Sequence, residues 1–243
     1  VPILRDCAVW YGGFDLTSTA NQVEINSSFT TVPVTTFADS GNVKNVAGLE
    51  DASISVMTFL DNSISEPAIT NNRGGAIELI TMVSFPTGGT VTAGDRTYSA
   101  RGLLKSSKVP MKVGDAARIE ASLESAQAEG VIAGMVLAPS TTVSSSGTSS
   151  VVNMGAQTSP QIAYFGIHVL SVSGNRTITA KLQSASSSGF GTANDRVTLG
   201  AISAAGSGFG SSSTATTDAY WRASYTIGGS SGSLTFAAFA AIQ

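Results

Sequence analysis

The chain has 243 residues, with Lys+Arg 13 against Asp+Glu 16 for a formal net charge of −3, and only 12% of it is charged, where a typical globular domain carries roughly 25%. Its single cysteine, Cys7, and single histidine, His168, exclude an internal disulfide framework, a cysteine-based zinc site and every two-histidine metal site. The weak net charge supplies neither a bulk basic field for nucleic acid nor a strong acidic one.

The length allows one large or two small domains. Uninterrupted apolar runs, such as residues 131–138, fall far short of the ~18 residues a spanning helix needs. The opening VPILRDCAVW has no charged region followed by an apolar core, so no secretory signal is expected. With the free Cys7, this predicts synthesis in a reducing cytosol, and Val1 fits removal of an initiator Met.

In chain order, Cys7 and Val9 alternate into a strand, where Cys7 reads as a small buried hydrophobe. Residues 52–59 alternate, with Ile54 and Val56 on one face and Ser53 and Ser55 on the other. Residues 63–73 hold the best helix candidate, capped by Ser63 or Ser65, with Pro67 in its first turn. Arg96, Arg101, Lys105, Lys108, Lys112 and Arg118 form a loose basic run with Asp95 and Asp115. Its few aromatics favour a solvated hairpin over a nucleic-acid site. Residues 117–124 alternate strictly, with Ala117, Ile119, Ala121 and Leu123 facing inward.

A compositional break follows. Residues 1–138 hold nine basic and 14 acidic residues, a net of −5; residues 139–243 hold four and two, a net of +2. Residues 139–150, PSTTVSSSGTSS, lack an apolar period and read as a linker. Beyond it, residues 161–170 are apolar on both faces around His168, as in a strand covered on two sides. Ile178, Ala180 and Leu182 share one face. Strands at 220–227 and 234–242 are expected to form a hairpin through 228–233. The 26 glycines, the Ser/Thr content and the short strands predict an all-β chain of two sandwich- or barrel-like modules, with at most one short helix. The expected division is a first domain at 1–138, a linker at 139–150 and a second domain at 151–243.

No constellation in this sequence carries chemistry. Residues 228–232, GGSSG, match the string of a nucleophile elbow, but that motif needs a following helix and a later histidine; here a strand follows and His168 precedes. His168 has no visible partner and reads as a packed or interface residue. Residues 206–210, GSGFG, lack the Lys-Ser/Thr of a phosphate loop. The sequons at Asn26 and Asn175 carry no meaning without export. The expectation is a non-enzyme with no catalytic, cofactor-binding or metal-ligating residue and no cofactor.

Residues 10–18, WYGGFDLTS, are followed by Asn21, by Val34-Thr35-Thr36-Phe37, and by Gly48-Leu49-Glu50-Asp51 leading into the alternating strand. This cadence resembles the opening of siphophage major tail (tail tube) proteins. Residues 113–116, VGDA, look like the family's turn into its closing strands, and 168–174 with 220–222 resemble phage virion proteins of the same group. The resemblance implies a virion structural protein whose β domain self-assembles into stacked rings, trimeric or hexameric. These form a conduit for DNA in genome ejection. It also implies contacts with other tail proteins such as tape measure and terminator, non-specific contact with DNA in the lumen, no membrane, and synthesis in the host cytoplasm. A capsid decoration protein or fibre-like virion surface protein is the alternative. A low charge content suits a self-assembling tube subunit, because unpaired charge is costly to bury in repeated interfaces. On charge alone, the basic run is expected to serve ring stacking against Glu50, Asp51, Glu120 or Glu124.

Overall fold

The computed structural model describes residues 7–34, 45–71, 75, 77–84, 89–126 and 129–243, with backbone alone for 46–49. Of the described residues 61% are strand and 3% helix, the expected all-β class. Seven strands and the helix come from the first half: β1 (Cys7–Tyr11), β2 (Phe14–Asp15), β3 (Ala20–Pro33), β4 (Asn45–Phe59), α1 (Ser65–Thr70), β5 (Ile77–Ser84), β6 (Arg96–Lys108) and β7 (Arg118–Ser125). They pair in the order β3-β4-β7-β6-β5-β1-β2. The inward residues read from alternation are buried except Ala117, which is half-buried just ahead of β7. Ile54, Val56, Ile119, Ala121 and Leu123 join Val9, Ile80 and Ala100 in one core, with Ala68 and Ile69 of α1 packed into it. Each fully buried side chain of the Ile/Leu type stabilises the fold by about 1.5–3 kcal/mol.

The helix lies within the expected stretch but is capped differently. Its N-cap residue, Ile64, makes no side-chain cap hydrogen bond. Asp61 instead accepts from the amides of Ser63 and Ile64, at 2.8 and 2.9 Å. Ser65 Oγ donates to the Phe59 carbonyl at 2.7 Å. The serines are therefore drawn into the turn that ends β4, which corrects the expected cap. Residues 72–74 and 76 of that region lie outside the described residues.

The second half supplies β8 (Ile132–Val143), β9 (Gly147–Thr148), β10 (Val152–Asn153), β11 (Ala163–Val172), β12 (Thr177–Ala185), β13 (Asn194–Thr198), β14 (Gly206–Ser212), β15 (Tyr220–Gly228) and β16 (Leu234–Ile242). One leaf, β14-β11-β16-β8, faces a second sheet, β10-β15-β12-β13, with β9 on β15. Phe165, Ile167, Ile178, Leu182, Trp221 and Phe236 fill the space between them.

The two halves share a sheet. Along one edge β6 pairs first with β8, through Arg96–Ser99, and then with β7, from Gly102 to Lys108; its other edge pairs with β5. The partner exchange falls near a bulge between Leu104 and Ser106, and bulges bend a strand and raise its twist. β8 pairs on its other side with β16. The outer face of the β11–β16 leaf packs on the first half, with Trp10, Val83, Val136 and Ala237 in one cluster and Leu79, Tyr164 and Phe239 in another. This double covering explains the two-sided apolar strand around His168.

Two local expectations are corrected. The stretch expected as a linker is largely strand: β8 continues to Val143, with Thr141 and Thr142 opposite Phe236 and Thr235, and β9 lies on Tyr225 and Ser224. Threonine is β-branched and favours a pleated surface without needing an apolar period. The expected hairpin at 220–242 is not one, because β15 and β16 belong to different sheets. The 229–233 turn passes between them, and Asn175 Oδ1 accepts from the amides of Ser230 and Ser231. This is the GGSSG string, with a strand on either side.

Candidate assembly surface

The single histidine and the single cysteine are both held within the structure. His168 is fully buried. Its Nδ1 lies 2.9 Å from the Gly12 carbonyl oxygen and its Nε2 lies 2.9 Å from Thr81 Oγ1. A carbonyl only accepts, so Nδ1 carries the proton and Nε2 accepts from Thr81. Thr81 Oγ1 is in turn 2.9 Å from Ser99 Oγ. Burial pulls the imidazole pKa down to about 4, so the ring is neutral at pH 7. This chain of polar groups resembles a relay in composition only, since Thr81, Ser99 and His168 are all buried from solvent.

Cys7 pairs opposite Ser84, and burial pushes its thiol up to about 11, the reverse of an activated thiolate. The densest polar cluster surrounds Asp218, whose Oδ2 accepts from Ser184 Oγ at 2.7 Å, Asn194 Nδ2 at 2.9 Å and Arg196 Nη2 at 3.0 Å. Those donors belong to β12 and β13, so the cluster ties a sheet edge to the 216–218 turn. Among the described residues no group of three His, Cys, Asp or Glu is placed to hold a metal ion, and no helix is long and apolar enough to cross a membrane.

The basic run is a strand and a hairpin tip, and four of its six basic residues find acidic partners within the chain. Lys105 pairs with Glu124, Lys108 with Glu120 at 3.8 Å, Lys112 with Asp115 at 3.7 Å and Arg101 with Glu129 at 3.4 Å. Arg101 also lies over the Phe209 ring at 4.9 Å, and Phe209 stacks on Tyr164 at 5.9 Å, joining β6 to β14 and β11. Glu120 and Glu124, two of the expected stacking partners, are thus partners in cis. The register of β6 on β7, which places Lys108 opposite Glu120, was not legible from charge counts.

What stands open is an edge. β3 is 14 residues long and, among the described residues, pairs on one side only, with β4. Glu24 is its one charged residue. Its first half packs Val23 and Ile25 on the core, but its second half is exposed throughout. There β3 and β4 pair from Ser27/Ala52 to Pro33/Asn45, beyond Ser53/Glu124, where the pairing of β4 with β7 ends. The result is a two-stranded arm that carries Phe29 at 59% exposure and Val32 at 51%. At the other end of the same strands, the β6–β7 tip bares Val109, Met111 and Val113. The Gly48–Asp51 element of the sequence resemblance lies in β4, within the arm; Thr35, Thr36 and Phe37 lie outside the described residues.

No family model matches this chain, and no curated protein does. Among solved structures, a chain of the virion of a native gene transfer agent particle is similar over 54% of this chain and 98% of its own, at 16% identity and a TM-score of 0.40. A chain from the sheath/tube terminator of the PVC extracellular contractile injection system in its extended state is similar over 55% of this chain and 96% of its own, at 19% identity and a TM-score of 0.44. The Dit protein of the phage SPP1, described as a hub adsorption apparatus of phages infecting Gram-positive hosts, is similar over 98% of this chain and 100% of its own, at 11% identity and a TM-score of 0.33.

Proposed function

We propose that this chain is a structural, non-enzymatic subunit of a phage tail that assembles with copies of itself into stacked rings forming the tail tube, a conduit for DNA. The observation that carries the reading is the β3 edge. A 14-residue strand with one charge and one side that no described residue pairs presents a row of N–H and C=O groups of the kind that protein folds normally blunt with lysines, prolines or a covering segment. Adding a strand from a neighbouring copy satisfies those groups by β-augmentation. The resemblance of residues 10–18 and 48–51 to tail tube openings adds the identity of the assembly, and tape measure and terminator proteins follow as its neighbours in the tail. DNA in the lumen is touched non-specifically, because each fixed Lys–phosphate contact adds affinity and salt dependence that a sliding conduit must avoid.

Proline scanning of the edge tests this. Between Gln22 and Phe29 the β3–β4 register is unbroken, so successive amides point alternately toward β4 and away from it. Of Asn26→Pro and Ser27→Pro, one breaks the ladder with β4 and the other blocks only the free edge. The variant that keeps the far-UV spectrum and melting temperature of the parent is expected to lose rings in negative-stain microscopy. Normal assembly by that folded variant would sink the edge-pairing reading.

A further inference from the structure

We infer that the second half holds a binding site for a neutral saccharide, in the cleft between residues 156–159 and 215–217. The inference goes beyond the tail-tube reading and does not depend on it.

Strand topology makes the site. Residues 154–162 join β10 to β11, and residues 213–219 join β14 to β15. The two loops meet where the Thr216 amide donates to the Gln157 carbonyl at 2.8 Å, an isolated antiparallel bridge. A cleft of about 560 Å³ lies there, lined by Gln157, Thr158, Ser159, Thr216 and Thr217 with two alanines. That volume falls within the range of small-molecule sites.

Gln157 carries the inference. It lines the cleft and yet is only 1% exposed. Its Nε2 donates to the Ser212 carbonyl at 2.8 Å and to the Gln161 carbonyl at 3.0 Å. Carbonyls only accept, so the amide cannot be turned over. Oε1 is thereby fixed, and it is buried with no hydrogen-bond partner among the described residues. Buried polar atoms normally have a partner, because an unmade bond costs the full desolvation of the group. The partner that Oε1 lacks is a donor.

The lining selects the kind of donor. No charged side chain lines the cleft. Arg196, which reaches Thr216 Oγ1 at 2.6 Å, is also bonded to Ser184 and paired with Asp218. An ionic ligand therefore finds no open counter-charge. The backbone is committed as well: the amides of Thr158, Gln161, Thr216 and Asp218 all donate within the two loops, which leaves no strand edge for a peptide to extend. Hydroxyls remain, and those of Ser159 and Thr217 belong to exposed residues. A saccharide hydroxyl both donates and accepts. One sugar unit thus supplies the donor for Gln157 Oε1 and pairs with the two exposed hydroxyls.

Isothermal titration calorimetry of the full-length protein tests this, with methyl α-glucoside and methyl α-mannoside as single units and dextran and mannan as chains of the same units. Saturable binding of at least one of the four is expected. A chain that binds more tightly than its unit identifies a polysaccharide as the source, and equal affinity per unit identifies a free sugar. The fully O-methylated glycosides keep their acceptors but carry no donor, and are expected not to bind. Ser159→Ala/Thr217→Val, at exposed positions, is expected to keep the parent melting temperature and to weaken binding about tenfold. No binding by any of the four, undiminished binding of the methylated glycosides, or unchanged affinity in the double variant would overturn the inference and leave Gln157 Oε1 to a buried water. None of these outcomes bears on whether the protein forms rings or tubes.

Discussion

His168 Nδ1 donates to the carbonyl of Gly12 across 2.9 Å, and the two residues stand 156 positions apart in the chain. The bond ties β11, in the leaf of the second half, to the β1–β2 turn of the first. Trp10 flanks the ring at 6.0 Å, and Thr81 holds the second nitrogen. The one histidine of the protein is therefore a fastener between its halves.

That bond sets a pH dependence. The imidazole pKa falls from 6.5 to about 4 on folding, so between those values the unfolded chain binds a proton that the folded chain refuses. Stability is then full above pH 6.5 and falls as the pH drops toward 4, by about 3 kcal/mol at 1.36 kcal/mol per unit. Urea titrations at pH 7 and pH 4.5 check this. His168→Gln is expected to lower stability at pH 7 by about 1–3 kcal/mol through lost buried hydrogen bonds and to flatten this part of the profile. It is expected to abolish no activity in a hydrolase and nuclease screen.

Glu78 acts in the opposite sense. Burial raises its carboxyl pKa, partly offset by the hydrogen bond from Ser207 Oγ at 3.3 Å. Its folded pKa lies above the unfolded one, so its charge costs stability at neutral pH and the cost disappears as the pH falls through the carboxylate range. Glu78→Gln keeps an acceptor for Ser207 and is expected to raise the melting temperature at pH 7 by a few degrees and not at pH 4.

Gly13 is required by close approach. A Cβ there would collide with the backbone of Ala205 and Gly206 at the start of β14. Gly13→Ala is expected to destabilise the protein by about 1–3 kcal/mol, the usual range for overpacking, and differential scanning calorimetry reads it. Gly13 of the sequence cadence thus has a packing reason, and Gly12 a conformational one, its φ being +54°.

Reversing Lys105 and Lys108 to Glu places like charges against Glu124 and Glu120 on the neighbouring strand. The melting temperature of the free subunit is expected to fall slightly. Adding Glu120→Lys and Glu124→Lys is expected to restore it, since exposed pairs of this kind contribute little beyond their complementarity. Failure of the restoring swap would show that the two cross-strand pairs do not account for the loss.

The division into two units is testable by the cooperativity of unfolding. Each half has its own core, but β8 pairs with both β6 and β16, and the seam buries Trp10, Leu79 and Phe239. One calorimetric transition is expected, because exposing the seam removes apolar cover from both halves. Two separated transitions would support independent modules at 1–138 and 151–243.

Strand identity and inward face were legible in the residues, because a period of two is a local property: Ile54, Val56, Ile119, Ala121 and Leu123 announce their face without knowing what they face. Partnership was not. Whether Leu234–Ile242 turns back on Tyr220–Gly228 or crosses to another sheet depends on which apolar faces exist elsewhere to cover it, and both of its faces are apolar because two layers meet there. The serines near α1 and the threonines at the end of β8 offered the same polar composition as caps and linkers. Long-range pairing turned them instead into a strand-end turn and a ladder. Lys108 on Glu120 and His168 on Gly12 are matters of register between segments far apart in sequence, and register is decided only when the whole sheet closes on its core.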